Sequence, residues 1–235
     1  MTSPLSGVVG AMLAQAELRD QLVSWEWISR RYDQIWEATL SHLWLTVFAV
    51  GVGLVISVVL SAVALRWRQT YAPIAWITGF LYTIPSLALF AFMVPILGLG
   101  FATAQVALVS YTLLILIRNI VAGVDGVPAE VKEAADGMGY GGVRRFFAVD
   151  LRLATPTIVT GIRLAAVTVV GLVTITALIG EGGYGVFILD GLRRNFSTPV
   201  VLGIGLSVIL AVTVDVLLIG LERLLTPWAR RGLGY

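Results

Sequence analysis

The feature that most constrains the fold is an uncharged stretch from Gln69 to Ile117, which contains no Asp, Glu, Lys, Arg or His. A helix needs about 20 apolar residues to cross a bilayer, so this stretch is long enough for two such helices. Hydrophobic residues make up 58% of the chain and charged residues only 13%. Because so few charges cannot cover the surface of a water-soluble domain of this size, the sequence predicts a polytopic membrane protein.

Five apolar segments are predicted to span the membrane, which makes the expected fold all-α. Gly98 and Gly100 offer a turn that divides the uncharged stretch in two. The predicted spans are His42–Leu65, Ala72–Leu97, Phe101–Ile117, Thr157–Gly180 and Thr198–Leu221. The corresponding domains are an outer N-terminal segment (1–39), a transmembrane domain (40–222) that includes a polar loop (118–155), and a C-terminal tail (223–235).

The distribution of Lys and Arg predicts the orientation, since short cytoplasmic loops carry an excess of both. On the side of the polar loop lie Arg66, Arg68, Arg118, Lys132, Arg144, Arg145, Arg152, Arg163, Arg223, Arg230 and Arg231. On the other side lie Arg19, Arg30, Arg31, Arg193 and Arg194. This asymmetry predicts an outer N-terminus and a cytoplasmic C-terminus, which fits an odd number of spans.

Residues 1–39 are predicted to contain a helix that lies on the outer membrane surface. Leu18, Leu22 and Trp25 would share one face of such a helix. The tryptophans of this region have the amphipathic rings that are enriched at the level of the lipid headgroups. A partly disordered tail is the alternative that the sequence leaves open.

The polar loop contains the segment DGMGYGG (136–142), whose glycines have the G-x-G-x-x-G spacing of a dinucleotide-binding loop. Such a loop must follow a strand and open a helix. The preceding residues instead favour a helix, because Pro128 suits a first turn and the alanines are strong helix formers. We therefore expect Gly137 to end that helix in the left-handed conformation, with a second short helix at about Gly142–Val149. An ordered pair of helices between two spans indicates a docking element for a soluble partner.

The segment EAADGMGYGGVRRFFAVDL resembles the EAA loop of ABC-importer permeases, which reads E-A-A, three residues, G, nine residues, I, one residue and L-P. The matching residues are Glu133, Ala134, Ala135, Gly139, Val149 and Leu151. Two positions depart from the pattern: Val149 replaces Ile, and Arg152 replaces Pro. The candidate ATPase-coupling residues are Glu133, Ala134, Ala135, Gly137, Gly139, Arg144, Arg145, Val149 and Leu151.

Three further segments, TIPSLALFAFMVPILGLG, GIRLAAVTVVGLVTITALIGEGGYG and DVLLIGLERLLTP, resemble permeases that import glycine betaine, choline and related compatible solutes. The resemblance covers about residues 36 to 228 and implies a five-span permease core like that of methionine-importer permeases. It also implies two permease copies, identical or paralogous, a cytoplasmic pair of ABC ATPases and an extracytoplasmic binding protein. The sequence has no G-x-x-x-x-G-K-[ST] loop, so ATP and Mg²⁺ are expected to bind in the ATPase partner.

Glu181 and the Pro85–Ser86 pair are the candidate residues of the translocation pathway. A carboxylate near the outer mouth could attract a cationic substrate, although a solvated charge at a helix end is the simpler interpretation. Pro85 and Pro95 are predicted to break the second span, because a proline inside a helix leaves a carbonyl without its donor. Such a kink could line a pathway with Ser86 or could serve helix packing alone.

Arg163 and Asp215 are both predicted to lie roughly 9 Å from the cytoplasmic ends of their spans, at 1.5 Å per residue. An ionisable residue at membrane depth is a functional hypothesis by default, and we expect these two to pair for a structural purpose. The single histidine, His42, lacks a second ligand, so no metal site is expected, and an interfacial position is predicted for it.

Three alternatives to an osmoprotectant permease remain at this point. The chain is also similar, more weakly, to methionine-importer permeases. An intramembrane enzyme would need a nucleophile and base or paired aspartates at one depth, and only Asp215 lies in a span. A structural scaffold would not need an ordered loop. The net charge of +2 is too small to indicate nucleic acid.

Overall fold

The computed structural model describes residues 22–228, which form helices joined by short turns, with no strand among them. The all-α prediction is therefore confirmed. The helices are α1 (Trp25–Ser29), α2 (Tyr32–Arg66), α3 (Tyr71–Thr83), α4 (Ser86–Leu97), α5 (Phe101–Asp125), α6 (Ala129–Gly137), α7 (Gly142–Arg145), α8 (Leu151–Val173), α9 (Gly185–Arg194) and α10 (Ser197–Leu225).

Four helical stretches of the described chain are long and apolar enough to cross a membrane, and a bent pair of helices forms the fifth candidate. The four are α2, α5, the continuous stretch Gly142–Val173, and α10. The bent pair joins 68–83 to α4 at an angle of 96°. Each of the five predicted spans thus corresponds to a helix or to this bent pair.

The spans begin or end at different residues from those predicted. Helix α2, which forms the first span, starts at Tyr32 rather than at His42 and contains 35 residues. At 1.5 Å per residue it is about 52 Å long, whereas a bilayer core is about 30 Å thick, so its first turns extend beyond the apolar layer. Helix α8, which forms the fourth span, ends at Val173 instead of Gly180, because a 3-10 turn follows from Thr176 to Ile179. The domain limits themselves stay a prediction.

The short helix α1 packs against the rest of the protein. Its Trp27 ring meets Phe187 and Phe196 edge-on at centroid distances of 6.3 and 5.9 Å. The backbone N–H of Ser24 donates to Thr198 Oγ1 at 2.9 Å. Leu22 precedes the helix, so the predicted helical face through Leu22 and Trp25 is wrong for the described part. The remaining residues of that prediction, including Leu18, lie outside the described range.

Helix α5 occupies the centre of the bundle, with more than half of its residues buried between α2, α3, α4 and α8. Small residues permit the close approach of its neighbours, as expected for helices that pack within a bilayer. A Cβ added to Gly161 of α8 would lie 2.5 Å from the Cβ of Asn119 on α5. A Cβ added to Gly53 of α2 would collide with the Thr112 side chain of α5.

His42 is fully buried inside the helical bundle. Its predicted position at the level of the membrane interface stays a prediction. Its Nε2 donates to the carbonyl of Val170 at 3.0 Å, and its Nδ1 accepts from the N–H of Tyr184 at 3.2 Å. The Val170 carbonyl lies near the end of α8, where the chain tightens and the N–H of Thr174 bonds Gly171 instead. The ring therefore joins α2 to the end of α8 and to the residue before α9.

We predict that Gly53→Ala destabilises the protein more than Gly51→Ala does. The two glycines lie in the same helix, but a Cβ at Gly51 meets nothing within 4 Å. Overpacking costs about 1–3 kcal/mol, so Gly53→Ala should lower the thermal unfolding midpoint in detergent while Gly51→Ala leaves it near that of the wild type. Equal midpoints for the two variants would contradict the packing role of Gly53.

Candidate functional site

The polar loop between α5 and α8 is ordered and contains the predicted helix α6. Pro128 precedes this helix, and Glu130 lies in its first turn, where the helix dipole favours an acidic side chain. The helix ends in two bonds: the N–H of Gly139 donates to the Asp136 carbonyl at 2.9 Å, and that of Tyr140 donates to Ala135 at 3.1 Å. This pair of bonds is a Schellman motif, which closes the helix at its C-terminus.

The left-handed residue of this motif is Gly139, not Gly137. Gly139 has a φ of +80°, whereas Gly137 is the last residue of the helix. The prediction placed the left-handed position two residues early, because Asp136 and Gly137 still belong to the helix. The glycines therefore follow a helix, as predicted, and the spacing does not describe a dinucleotide-binding loop.

The predicted second helix of the loop is not separate from the membrane span. Helix α7 passes through a π-helical turn at Phe146–Asp150 directly into α8. Arg152, which stands where the motif has Pro, keeps its backbone N–H, so nothing interrupts the helix at this point. Its guanidinium lies 4.6 Å from the centre of the Trp228 ring. Val149 lies in the π turn, and Leu151 opens α8.

The loop presents an apolar surface to solvent. Met138, Val143 and Phe147 are 69%, 75% and 65% exposed. Glu133 and Ala134 are also exposed, while Ala135 is 1% exposed and anchors α6 to the bundle. Met138 lies just before the candidate span Gly142–Val173, and Val143 and Phe147 lie in its first two turns. Exposed apolar side chains on an ordered element at the end of a span indicate an interaction surface.

The two neighbouring arginines of the loop have different partners. The Arg144 guanidinium lies 4.5 Å from the centre of the Tyr140 ring. Arg145 Nη1 donates to Asp136 Oδ2 at 2.5 Å, and its Nε lies 3.6 Å from Asp150 Oδ2. Asp150 was not predicted from the sequence. It could have been noticed as a single acidic residue among apolar residues just before a span.

The predicted contact between Arg163 and Asp215 is present. Arg163 Nε donates to Asp215 Oδ1 at 2.9 Å and Nη2 to Oδ2 at 3.2 Å, a two-pronged geometry that suits a guanidinium and a carboxylate. Glu222, which the sequence reasoning missed, lies one to two turns further along α10 and accepts from Arg163 Nη1 at 3.4 Å. One arginine thus serves two carboxylates.

The bend of the second span occurs at Pro85 alone. Ile84 is extended, as residues before proline tend to be, with a φ of −65° and a ψ of 126°. The hydroxyl of Tyr111 donates to the Ile84 carbonyl at the bend, a partner from α5 that the sequence did not indicate. Pro95, predicted to break the same span, lies in the last turn of α4, which continues to Leu97.

Glu181 lies at the opposite end of the bundle from the loop. A Cβ added to Gly100 would be 3.5 Å from its Oε1, so the carboxyl group faces the turn between α4 and α5. Burial raises the pKa of this carboxyl group above its ordinary value. Ser86 lies at the other end of α4, about 18 Å away for a helix of 12 residues, so these pathway candidates do not form one cluster.

A cavity of about 540 Å³ opens at Gly182 and Gly183, between the first turns of α2 and helix α9. Both acidic and basic side chains line it, among them Arg31, Glu37 and Asp190. Within residues 22–228, no group of three or more His, Asp or Glu side chains is placed to hold a metal ion.

Five candidate spans, with α5 at the centre and an ordered loop before the fourth span, define a polytopic helical membrane protein. The chain belongs to the family of binding-protein-dependent transport system inner membrane components, whose pattern matches residues 53–227. The resemblance inferred from the EAA loop is confirmed.

Relatives cover most of the chain. It is 35% identical over 194 residues to the osmoprotectant import permease protein OsmW of Salmonella typhimurium, which covers 80% of this chain and 90% of that protein. It is 35% identical over 189 residues to the choline transport system permease protein OpuBB of Bacillus subtilis, covering 80% and 87%. The solved inward facing MetNI methionine ABC transporter matches the fold with a TM-score of 0.68 at 21% identity, covering 87% of this chain and 100% of that one.

We predict that Asp215→Asn destabilises the protein more than Glu222→Gln. Asp215 makes two hydrogen bonds to Arg163, and Glu222 makes one longer bond. Loss of hydrogen bonds to a charged group costs about 1.5–3 kcal/mol, so Asp215→Asn should lower the unfolding midpoint markedly and Glu222→Gln slightly. The reverse order in a thermal scan of the two purified variants would show that Glu222 is the main partner of Arg163.

Proposed function

We propose that this chain is the permease subunit of an ABC importer for osmoprotectants, with quaternary ammonium compounds such as glycine betaine and choline as substrates. The support for the substrate class comes from the osmoprotectant import permease OsmW and the choline transport permease OpuBB, to each of which this chain is 35% identical over most of that protein's length. The similarity to the methionine transporter is at the level of fold, at 21% identity, and supports methionine less. Membership of a transport family favours a transport subunit over an intramembrane enzyme.

The observation that carries the proposal is the exposed apolar surface of the ordered loop between α5 and α8. We infer that this surface docks into a cytoplasmic ABC ATPase, which binds ATP and Mg²⁺. The residues that would form or support the contact are Glu133, Ala134, Ala135, Gly137, Gly139, Arg144, Arg145, Val149 and Leu151. Closure of the ATPase pair would move α6 and switch the permease between inward- and outward-facing states.

The proposed assembly contains two permease copies, identical or paralogous, two ATPases and an extracytoplasmic binding protein. The loop would face the cytoplasm, which places the C-terminus inside and the N-terminus outside. This orientation agrees with the excess of Lys and Arg at the loop end of the bundle. Pro85, Ser86 and Glu181 would lie along the pathway, with Glu181 near the outer mouth.

The experiment that tests this proposal is uptake of radiolabelled glycine betaine by cells that carry the complex, with Gly139→Val compared with Gly141→Val. Gly139 has a φ of +80°, whereas Gly141 has a φ of −68°; a Cβ meets nothing within 4 Å at either position. A side chain in the left-handed region costs about 1–2 kcal/mol, so ATP-dependent uptake by Gly139→Val should fall roughly tenfold at equal membrane abundance.

Gly141→Val controls for added bulk in the loop and should transport far better than Gly139→Val. Equal uptake by both variants would contradict the coupling role of the loop. A complex that imports neither glycine betaine nor choline, while it hydrolyses ATP, would overturn the substrate class.

We predict that choline uptake depends on pH through Glu181. Because its pKa is raised, this carboxyl group becomes neutral at a higher pH than an ordinary glutamate, and its attraction for a cation is lost as the pH falls through that raised pKa. The KM for choline should therefore rise on acidification in the wild type. Glu181→Gln should show the higher KM at every pH.

The same pKa shift predicts that Glu181→Gln does not destabilise the protein at neutral pH. The fold disfavours the ionised carboxyl group, so the stability of the wild type falls as the pH rises through the raised pKa. An unchanged KM together with an unchanged thermal midpoint would assign Glu181 no part in cation attraction.

A further inference from the structure

The π turn that joins the coupling loop to α8 contains a buried carboxylate. Asp150 is 4% exposed, and within the described residues its Oδ1 has no hydrogen-bond partner. Its Oδ2 lies 3.6 Å from Arg145 Nε, which also lacks a hydrogen bond there. A hydrogen bond between nitrogen and oxygen needs about 2.7–3.2 Å, so these two groups are only about half an ångström too far apart.

Arg145 connects this carboxylate to α6. Its other end, Nη1, is held at 2.5 Å by Oδ2 of Asp136, whose backbone carbonyl belongs to the Schellman motif. The guanidinium therefore bridges α6 and the π turn that leads into α8. Arg144, the preceding residue, stacks on Tyr140 instead and does not take part in this bridge.

A buried charge without complete pairing is unfavourable, and formation of the missing bond would remove that cost. The arrangement is therefore expected to differ between two conformations of the loop, one with Arg145 bonded to Asp136 alone and one with Arg145 bonded to both acids. The π turn suits such a change, since one-turn π-helical insertions occur mostly at functional sites.

We propose that Asp150 is a positioning residue for transport: through Arg145, it makes α6 and the membrane helix α8 move together. This inference rests on the proposed function of the loop as the ATPase contact. Asp150 itself is buried and touches neither ATP nor substrate. Its loss should leave ATP hydrolysis in place while import becomes inefficient.

The test uses the purified complex of permease, ATPase and binding protein in liposomes, with glycine betaine as the probe. The measured quantity is the number of ATP molecules hydrolysed per glycine betaine imported. Asp150→Asn should raise this ratio about tenfold, the equivalent of 1.4 kcal/mol of lost coupling. Asp150→Glu keeps a carboxylate that can reach Arg145 and should retain a ratio near that of the wild type. A residue needed only for folding would lower hydrolysis and import in parallel, with no change in the ratio.

Charge exchange provides a second test, which does not depend on Asp150→Asn alone. The double exchange Asp136→Arg with Arg145→Asp restores the ion pair between positions 136 and 145 but places the new carboxylate at 145 against Asp150. The number of ATP molecules hydrolysed per glycine betaine imported should therefore stay high in this variant. Addition of Asp150→Asn to that double exchange should recover coupling, because the Asn amide can donate to the new carboxylate.

The outcomes separate this inference from the proposed function. Full coupling in the double exchange, or a wild-type ratio in Asp150→Asn, would overturn the role of Asp150 while leaving the permease function intact. A wild-type complex that hydrolyses ATP and imports no glycine betaine would instead count against the proposed function. If Asp150→Asn fails to assemble, the comparison of Asp150→Glu with the double and triple exchanges decides the question.

Discussion

The close approach of α5 to α2 and α8 is the constraint on which the rest of this structure depends. Apolar side chains gain little by leaving lipid for one another, so helices in a bilayer associate through tight packing of small residues and a few polar contacts. Gly53 against Thr112 and Gly161 against Asn119 provide that packing here. Since α5 and α8 flank the polar loop, their contact also sets the base on which the loop is ordered.

The loop contains one helix that ends sharply, α6, and one helix that continues into the membrane span, α7. The Schellman motif at Gly139 ends α6 and turns the chain, while the π turn at 146–150 leads into α8 without a break. A displacement of α7 can therefore reach the membrane helix without a break in the helix between them. This continuity is the physical basis for the proposed transmission of ATPase closure to the permease.

Two arginines, Arg163 and Arg145, each lie between two carboxylates, the first within the membrane bundle and the second at the loop. Arg163 serves Asp215 and Glu222 within the bundle, and Arg145 lies between Asp136 and Asp150 at the base of the loop. In the first cluster Asp215 accepts two bonds at 2.9 and 3.2 Å, and Glu222 accepts one longer bond at 3.4 Å. In the second, one acid is bonded and the other is just out of reach, which is why the loop cluster, and not the membrane cluster, carries the inference of a moving part.

Local signals in the sequence were sufficient for the number of spans, the helical loop and the Arg163–Asp215 contact. Apolar length, helix formers and the depth of two charges are all properties of short segments. Helix limits were predicted less well: α2 starts ten residues early because its first turns continue the helix beyond the apolar stretch, and Pro95 breaks nothing because it falls in a last turn.

The sequence by itself determined that this chain lies in a membrane, crosses it as helices and carries an EAA loop. Only the tertiary structure decided that His42 is a buried link, that Tyr111 satisfies the Pro85 bend, that Glu222 joins the membrane cluster and that Asp150 faces Arg145. The reason is physical: apart from Asp150 and Arg145, these partners come from different helices far apart in the chain. Apolar spans carry no local pattern that says which of their few polar groups will meet.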